Sequence, residues 1–344
     1  MFRKFAIGFG AATMLASAAH ADTITGAGAT FPNPIYSAWA KDYKAATGNE
    51  LNYQSIGSGG GIKNIKAKTV DFGASDKPLL PNALNDAGLV QFPTVIGGIV
   101  QIVNIPGVAA AQLKLSGAVL GDIFLGKIKR WDDPAITRLN PGWKAPALPI
   151  TVVHRSDGSG TSFVFTTFLS VTSPAWSKAV GANDSVNWPT GLGGKGNDGV
   201  AAFVKQTPGA IGYVEYIYAR KDAVPYTLVQ NHAGQFPMPD PVSFSAAAAK
   251  APWGRMPGNY VILVDQEAPK AWPITAATFI LMYKNQDNAA KGANVLKFFD
   301  WAYKTGDATA GKLDYVPLPL TVKNMIRKQW LQITAGGKPV YESK

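Results

Sequence analysis

Two long apolar runs, rich in valine and isoleucine, dominate the hydrophobic pattern of the chain. They cover residues 91–106 and 271–284, and both are nearly continuous rather than alternating. This is the pattern of a strand that is buried on both faces. The pair Gly97-Gly98 interrupts the first run. Close packing and a flexible crossing between two domains explain these glycines equally well.

Before the first run, short apolar segments alternate with helical patterns. Strands are predicted near Ile24, over residues 51–56 and just before Asp76. A helix with the glycine-rich loop GSGGG in front of it is predicted to end at about Lys68. The order of strand, loop, helix and strand implies a parallel sheet whose loops share one edge, at the carboxyl ends of the strands.

The middle of the chain continues this α/β pattern. Residues 115–142 are predicted to form helical turns that carry Trp131, and a strand, a loop and a helix follow over residues 147–169. A further glycine-rich loop near Gly193 precedes a helix and the strand IGYVEY. Helices are also predicted for NVLKFFDWAYKTG and for the amphipathic tail after Pro319.

The length of 344 residues favours more than one hydrophobic core, because single cores stop growing at about 250 to 300 residues. If both long strands cross between two lobes, the chain ends build one lobe and the middle builds the other. We therefore expect lobe I to contain residues 22–97 and 272–344, and lobe II to contain residues 98–271. This is the architecture of a cleft protein with a two-strand hinge.

The first 21 residues have the order of a secretory signal peptide. Arg3 and Lys4 precede an apolar run, and small residues precede a predicted cleavage point after Ala21. No later segment offers the roughly 20 apolar residues that a membrane helix needs. We expect a soluble exported protein.

The amino-acid composition excludes several kinds of catalytic and metal-binding site. The chain has no cysteine, which excludes thiol catalysis and cysteine-ligated zinc, and its three histidines show no metal-binding spacing. The formal charge is +11, or +9 after Arg3 and Lys4 are removed with the signal peptide. A basic protein favours anionic partners. Because the lysines are scattered, a solvated surface is favoured over an adhesin or a nucleic-acid binder.

Three loops share one design. They are GAGATF at 26–31, GSGGG at 57–61 and DGSGT at 157–161, and each combines glycines with a hydroxyl residue in front of a helix. Glycines let backbone N–H groups approach a ligand, and the N-terminus of a helix attracts negative charge. One such loop is commonly an ordinary turn. Three on one edge of a sheet predict an oxyanion site.

Charged residues next to these loops refine the hypothesis. Arg155 could be a surface arginine paired with Asp157, but its guanidinium fork suits a tetrahedral oxyanion, and the ligand role is favoured. Asp76 could be a turn aspartate. In an anion site, its carboxylate could only accept a hydrogen bond and would favour a ligand that carries a proton.

A secreted phosphatase that uses Ser58 or Ser159 as nucleophile is the alternative. The chain has no GxxxxGK[ST] sequence, and neither serine stands in GxSxG. The nearest histidine in sequence, His154, is not part of a recognisable triad. Binding without turnover is therefore favoured.

Several of these segments together resemble the periplasmic phosphate-binding protein of the bacterial phosphate ABC transporter, the PstS family. They include GAGATFPNPIYSAWAKDY, IGSGGGIK, TVDFGASDKPL, RSDGSGTSFVFT and WPITAATFILMYK. The resemblance covers residues 23–330 and is weakest over 228–270. It implies a type II periplasmic-binding-protein fold with two α/β lobes that close on inorganic phosphate, no cofactor, and delivery to the inner-membrane permease subunits. A monomer in the periplasm is expected.

The resemblance also implies the phosphate-binding residues. Asp76 would accept the phosphate proton, Arg155 would pair with the anion, and Asp157 would hold the arginine. The others would donate hydrogen bonds through a hydroxyl or a backbone N–H group, and these are Thr30, Phe31, Ser58, Ser159, Gly160 and Thr161.

Overall fold

The structure is a computed structural model that describes residues 22–343. The predicted signal peptide, residues 1–21, and its cleavage point lie outside the described residues. Among the described helices, none combines the length and the apolar character needed to cross a membrane.

Strands and helices alternate through most of the described chain. The strands are β1 (Thr23–Gly28), β2 (Glu50–Ser55), β3 (Phe72–Ser75), β4 (Leu89–Val103), β5 (Lys114–Leu115), β6 (Thr151–Arg155), β7 (Leu192–Gly194), β8 (Ala210–Glu215), β9 (Leu228–Val229), β10 (Leu263–Val264), β11 (Ile274–Tyr283), β12 (Val316–Pro317), β13 (Thr334–Ala335) and β14 (Lys338–Pro339).

The helices connect the strands along the chain. They are α1 (Asn33–Thr47), α2 (Ser58–Lys66), α3 (Pro81–Asp86), α4 (Gly117–Phe124), α5 (Pro134–Thr137), α6 (Gly160–Thr172), α7 (Pro174–Ala179), α8 (Gly196–Gln206), α9 (Tyr216–Lys221), α10 (Pro241–Ala248), α11 (Ala289–Thr305), α12 (Asp307–Lys312) and α13 (Leu320–Gln329). Two short 3-10 turns span Pro257–Asn259 and Trp330–Gln332.

The main sheet has the strand order β2-β1-β3-β11-β4-β8-β6-β7. Strands β1, β2 and β3 are mutually parallel at one end, and β6, β7 and β8 are parallel at the other. The antiparallel strands β4 and β11 lie between these two groups. We call the part around β1, β2 and β3 the first lobe, and the part around β6, β7 and β8 the second lobe.

Strand β4 belongs to both lobes. It pairs with β11 as far as Gly98 and with β8 from Ile99 onward. A Cβ on Gly98 would lie 2.1 Å from the Phe244 ring, and one on Gly97 would lie 2.9 Å from the Phe31 ring. Close packing therefore explains this glycine pair. The exact lobe boundaries, and flexibility at the pair, stay predictions.

Aromatic side chains fill the interface between helices and sheet in each lobe. In the first lobe, Phe299 of α11 packs edge-to-face on Phe72 of β3 at 5.3 Å between ring centroids. In the second lobe, Phe165 of α6 stacks on Tyr213 of β8 at 4.5 Å. These contacts bury large apolar surfaces and hold each helix against the strands of its own lobe.

Two local predictions were wrong. Ser58 begins α2, so GSGGG lies largely in the first helical turn rather than in a loop before it. Glycine is needed here for close packing rather than for a loop, because a Cβ on Gly61 would lie 2.5 Å from the Cα of Gly28. Trp131 was predicted to lie in a helical turn, but it lies in a non-helical turn between α4 and α5. It is fully buried, and its indole N–H donates to the carbonyl of Gly209.

Candidate anion-binding site

Loops from both lobes meet at the carboxyl ends of the parallel strands. The first lobe contributes Thr30, Ser58 and Asp76, which follow β1, β2 and β3. The second lobe contributes residues 155–161, from the end of β6 to the first turn of α6. The loops that were predicted to share one edge of the sheet therefore do lie together at the carboxyl ends of its parallel strands.

The two sets of loops are in direct contact. The N–H of Gly59 donates to the carbonyl of Gly158 at 2.8 Å. A Cβ on Gly160 would lie 2.5 Å from the Ser58 Oγ and 2.7 Å from the Asp76 Oδ2. A side chain on Gly160 would therefore push the lobes apart.

Thr30 and Phe31 are held through their carbonyl groups. Thr30 is 4% exposed, and its carbonyl accepts a hydrogen bond from the Tyr218 hydroxyl at 2.6 Å. The carbonyl of Phe31 accepts from the Tyr315 hydroxyl at 2.5 Å. The Thr30 Oγ1 contacts Asn197 of the second lobe at 2.6 Å. The loop after β1 is thus fixed from both sides of the cleft.

Asp76 has one carboxyl oxygen without a partner. Its Oδ1 accepts from the Thr278 hydroxyl at 2.6 Å, and its backbone N–H donates to the Ser58 Oγ at 3.2 Å. Its Oδ2 has no hydrogen-bond partner within the described residues, although Asp76 is 2% exposed. Buried polar atoms are nearly always paired, so the free oxygen indicates a group that a ligand would satisfy.

Burial raises the pKa of Asp76 to about 7, while the hydrogen bond from Thr278 and the charge of Arg155 act to lower it. Desolvation penalises the ionised carboxylate more than the neutral acid. Near neutral pH, this group can therefore exchange a proton with little cost. A partner that brings its own proton would suit it.

Arg155 is a buried cation with free donors. Its side chain is 1% exposed, and its Nε and Nη2 donate to the two carboxylate oxygens of Asp157 at 2.7 and 2.5 Å. Its Nη1 donates to the Thr161 Oγ1 at 3.3 Å. A guanidinium carries five N–H groups, so these contacts leave two for an anion. The interpretation of Arg155 as a surface residue is wrong.

Asp157 is a fixed counterion for that arginine. Its Oδ1 also accepts from the N–H of Gly196 at 3.1 Å. Burial acts to raise the pKa of Asp157, but the hydrogen bonds and charge of Arg155 hold this pKa below its usual value. Asp157 therefore stays ionised and fixes the plane of the guanidinium.

The start of α6 offers backbone donors. Ser159 caps the helix, with its Oγ accepting from the N–H of Ser162 at 3.0 Å. Ser159, Gly160 and Thr161 are all buried. The first N–H groups of a helix have no partner in the helix itself, and they carry partial positive charge. This helix start can therefore hold an oxyanion.

Comparison with known proteins assigns the family. The model of a PBP superfamily domain matches residues 15–304. A phosphate-binding protein PstS of Pasteurella multocida is 55% identical over 310 residues, covering 90% of each chain. That of Haemophilus influenzae is 54% identical over 312 residues, covering 91% of this chain and 93% of the relative. The chain belongs to the PstS family.

Solved structures of more distant proteins share the fold of this PstS-family chain. A high-affinity periplasmic phosphate-binding protein bound with phosphate gives a TM-score of 0.72 at 22% identity, covering 92% of this chain and 97% of that chain. A phosphate-binding protein from Stenotrophomonas maltophilia gives 0.70 at 24% identity, with 90% and 94% covered. The two-lobe, type II periplasmic-binding-protein fold is therefore confirmed.

The structure brings all nine predicted residues into one site, although their contact with a ligand stays a prediction. Asn197 and Thr278 were not predicted from the sequence. Asn197 lies within the segment GLGGKGND, which is glycine-rich and precedes a predicted helix, and this was a usable signal. Thr278 carried no such signal, because it lies within a continuous apolar strand.

Histidine, cysteine, aspartate and glutamate side chains in residues 22–343 form no group of three or more that could hold a metal ion. The site combines hydroxyl and backbone N–H groups with one buried cation and two carboxyl groups, those of Asp76 and Asp157.

Proposed function

We propose that this PstS-family protein is the phosphate receptor of an ABC import system. It binds inorganic phosphate between its lobes, closes over it and delivers it to the membrane permease subunits. The observation that carries the proposal is the unpartnered Oδ2 of buried Asp76, close to a helix N-terminus and electrostatically coupled to Arg155. The PstS relatives support it by their name.

Each side of the site has a proposed role. Asp76 accepts the proton of the phosphate, and Arg155 donates to its oxygens while Asp157 holds the guanidinium. The remaining donors are the hydroxyl or backbone N–H groups of Thr30, Phe31, Ser58, Ser159, Gly160 and Thr161. A buried anion is stable only when nearly all its oxygens are hydrogen-bonded, at about 1.5 to 3 kcal/mol for each charge-assisted contact.

Lobe closure is part of the proposal. Lobe I would comprise residues 22–97 and 272–344, and lobe II would comprise residues 98–271. The change of pairing partner between Gly98 and Ile99 supports the first boundary. The ion pair of Lys77 with Asp184, 2.8 Å long, supports a closed arrangement of these lobes.

The site is arranged for binding rather than for hydrolysis by a serine. The Oγ of Ser159 serves as the α6 cap, and that of Ser58 accepts from the N–H of Asp76. In the described part of the chain, His154 stacks on Trp188 and contacts a backbone carbonyl, so it does not act as a base for either serine. This supports a receptor over a phosphatase.

The cellular setting follows from the same reasoning. The signal-like N-terminus supports export to the periplasm with cleavage after Ala21. Phosphate and the inner-membrane permease subunits would be the partners, and the receptor would act as a monomer.

Titration calorimetry with phosphate and then with sulfate tests the proposal. At pH 9, phosphate still carries a proton and sulfate does not, and Asp76, with a pKa of about 7, is ionised, so sulfate would leave its carboxylate facing an unprotonated oxygen unless Asp76 took up a proton two pH units above its pKa. We expect phosphate to bind and sulfate to bind at least about 100-fold more weakly, because an unpaired buried acceptor and a like charge are both costly. Equal affinities would contradict the role of Asp76, and no phosphate binding would contradict the function.

A further inference from the structure

Asn197 joins the two sides of the site by a pair of hydrogen bonds to one atom. It lies at the start of α8 in the second lobe and is fully buried. Its side-chain Nδ2 donates to the Thr30 Oγ1 at 2.6 Å, and its backbone N–H donates to the same oxygen at 3.2 Å. The threonine lies in the first lobe, so both bonds cross the cleft.

The amide orientation of Asn197 follows from a third bond. Its Oδ1 accepts from the backbone N–H of Glu215 at 3.0 Å. A backbone N–H can only donate, so the amide oxygen must face Glu215 and the amide nitrogen must face Thr30. The direction of the bond between Asn197 and Thr30 is therefore fixed.

This arrangement determines what the Thr30 hydroxyl can do. A hydroxyl has two acceptor lone pairs and one proton to donate. Asn197 occupies both lone pairs, so the oxygen has no acceptor capacity left for a ligand. Among the described residues, no acceptor receives the hydroxyl proton of Thr30, which remains available to an acceptor oxygen in the cleft.

We propose that Asn197 is a positioning residue that makes the Thr30 hydroxyl a donor-only group in the closed protein. When the lobes separate, the hydroxyl loses both bonds and can rotate freely. Closure of the lobes therefore also orients the Thr30 hydroxyl as a donor toward the ligand. The inference rests on the proposed phosphate function, because it assumes that the acceptor is a phosphate oxygen.

A double-mutant cycle on phosphate affinity tests the proposal. We expect Asn197→Ala to raise the Kd by about tenfold, the size of one charge-assisted hydrogen bond. In a Thr30→Val background, which keeps the shape but lacks the hydroxyl, the same change should raise the Kd by less than about twofold. In a Thr30→Ser background, which restores the hydroxyl, the effect should return to about tenfold.

A second variant guards against a folding defect. Asn197→Asp keeps an acceptor for the N–H of Glu215, but presents an oxygen to Thr30 and draws the hydroxyl proton away from the ligand. The added negative charge changes the phosphate affinity equally in the Thr30 and Thr30→Val backgrounds, so its contribution cancels in the double-mutant cycle. We expect the same sign of coupling as for Asn197→Ala.

Lys77→Ala is the matched control for closure. It removes another contact across the cleft, the ion pair with Asp184, without touching Thr30. Its effect on Kd should be the same with Thr30 and with Thr30→Val. If the Asn197 variants also have the same effect on the Kd with Thr30 and with Thr30→Val, Asn197 acts through closure alone. The positioning role is then overturned, while phosphate binding stands. If the unmodified protein does not bind phosphate, both proposals fail.

Discussion

Two aspartates at the same site, one from each lobe, have opposite electrostatic environments. Asp157 accepts three hydrogen bonds from Arg155 and Gly196, and its pKa is held below the usual value. Asp76 accepts one bond, from Thr278, and burial raises its pKa to about 7. Burial with a single donor raises the pKa of Asp76, whereas the hydrogen bonds and charge of Arg155 outweigh the partial burial of Asp157 and lower its pKa.

Because the two aspartates differ in pKa, they can perform two tasks that one carboxyl could not combine. Asp157 stays ionised and balances a buried arginine, which would otherwise be an uncompensated charge. Asp76 keeps one oxygen unpaired and changes its protonation with little cost. In the proposed site, the second lobe would therefore supply the cation and its counterion, and the first lobe would supply the carboxyl that responds to the proton of the ligand.

The largest effect is expected from Arg155→Gln, which removes the cation and leaves Asp157 buried without its partner. We expect the Kd for phosphate to rise by at least about 100-fold, because two charge-assisted hydrogen bonds are lost. Isothermal titration calorimetry measures this change.

The chain offers a closely matched control in a second arginine–aspartate pair with the same spacing. Arg130 makes the same two-pronged contact with Asp132, at 3.0 and 3.2 Å, but this pair is exposed. Arg130→Gln should leave the Kd unchanged and have little effect on stability, because an exposed ion pair contributes little. Similar Kd values for the two variants would show that Arg155 does not contact the ligand.

Asp76→Asn is expected to have the next largest effect, on selectivity and on pH dependence. The variant has lost a proton acceptor and gained a donor, so the ratio of phosphate to sulfate affinity should fall by at least about tenfold. Calorimetry with both anions at pH 8 measures this ratio. An unchanged ratio would assign the selectivity to another residue.

The pH dependence of the stability of the ligand-free protein tests the raised pKa of Asp76 without any bound anion. The folded-state pKa of Asp76 lies above that of the unfolded chain, so the folded state holds the extra proton from about pH 4 to about pH 7. This group therefore lowers the free energy of unfolding as the pH rises through that window.

We expect Asp76→Asn to gain stability relative to the unmodified protein between pH 5 and pH 8, as measured by denaturant unfolding in phosphate-free buffer. Asp86→Asn, at an exposed carboxyl of α3, should show no such gain. A stability difference for Asp76→Asn that does not vary with pH would contradict a raised pKa.

The sequence predicted the site loops well because their signals are local. The order of strand, glycine loop and helix places Thr30, Ser58 and residues 155–161 at one sheet edge without knowledge of the tertiary packing. The same is true of the buried strands, predicted at 91–106 and 271–284 and found as β4 and β11.

The features that were not predicted depend on contacts between distant parts of the chain. Asn197 meets Thr30 across 167 residues, and Thr278 meets Asp76 across 202. The glycine-rich segment around Asn197 indicates a possible site loop but not which partner its side chain meets, and nothing in the local pattern distinguishes Thr278 from an ordinary core residue. Likewise, GSGGG has a low helix propensity, and the close approach of Gly61 to Gly28, which requires a glycine in this helical turn, is a contact between distant residues that the local sequence does not indicate.

Asp157→Asn is expected to have the smallest effect, since two consequences oppose each other. The substitution loosens the guanidinium of Arg155, which weakens binding, and it removes a negative charge beside the anion, which strengthens binding. We expect the Kd for phosphate to change by less than about threefold at an ionic strength of about 0.15 M, and its salt dependence to become steeper because the site has one more net positive charge. Calorimetry at two salt concentrations measures both, with Asp132→Asn in the exposed pair as the control. A loss of tens of fold would mean that orientation of the arginine outweighs the charge of Asp157, which would make this carboxyl as important to binding as Asp76.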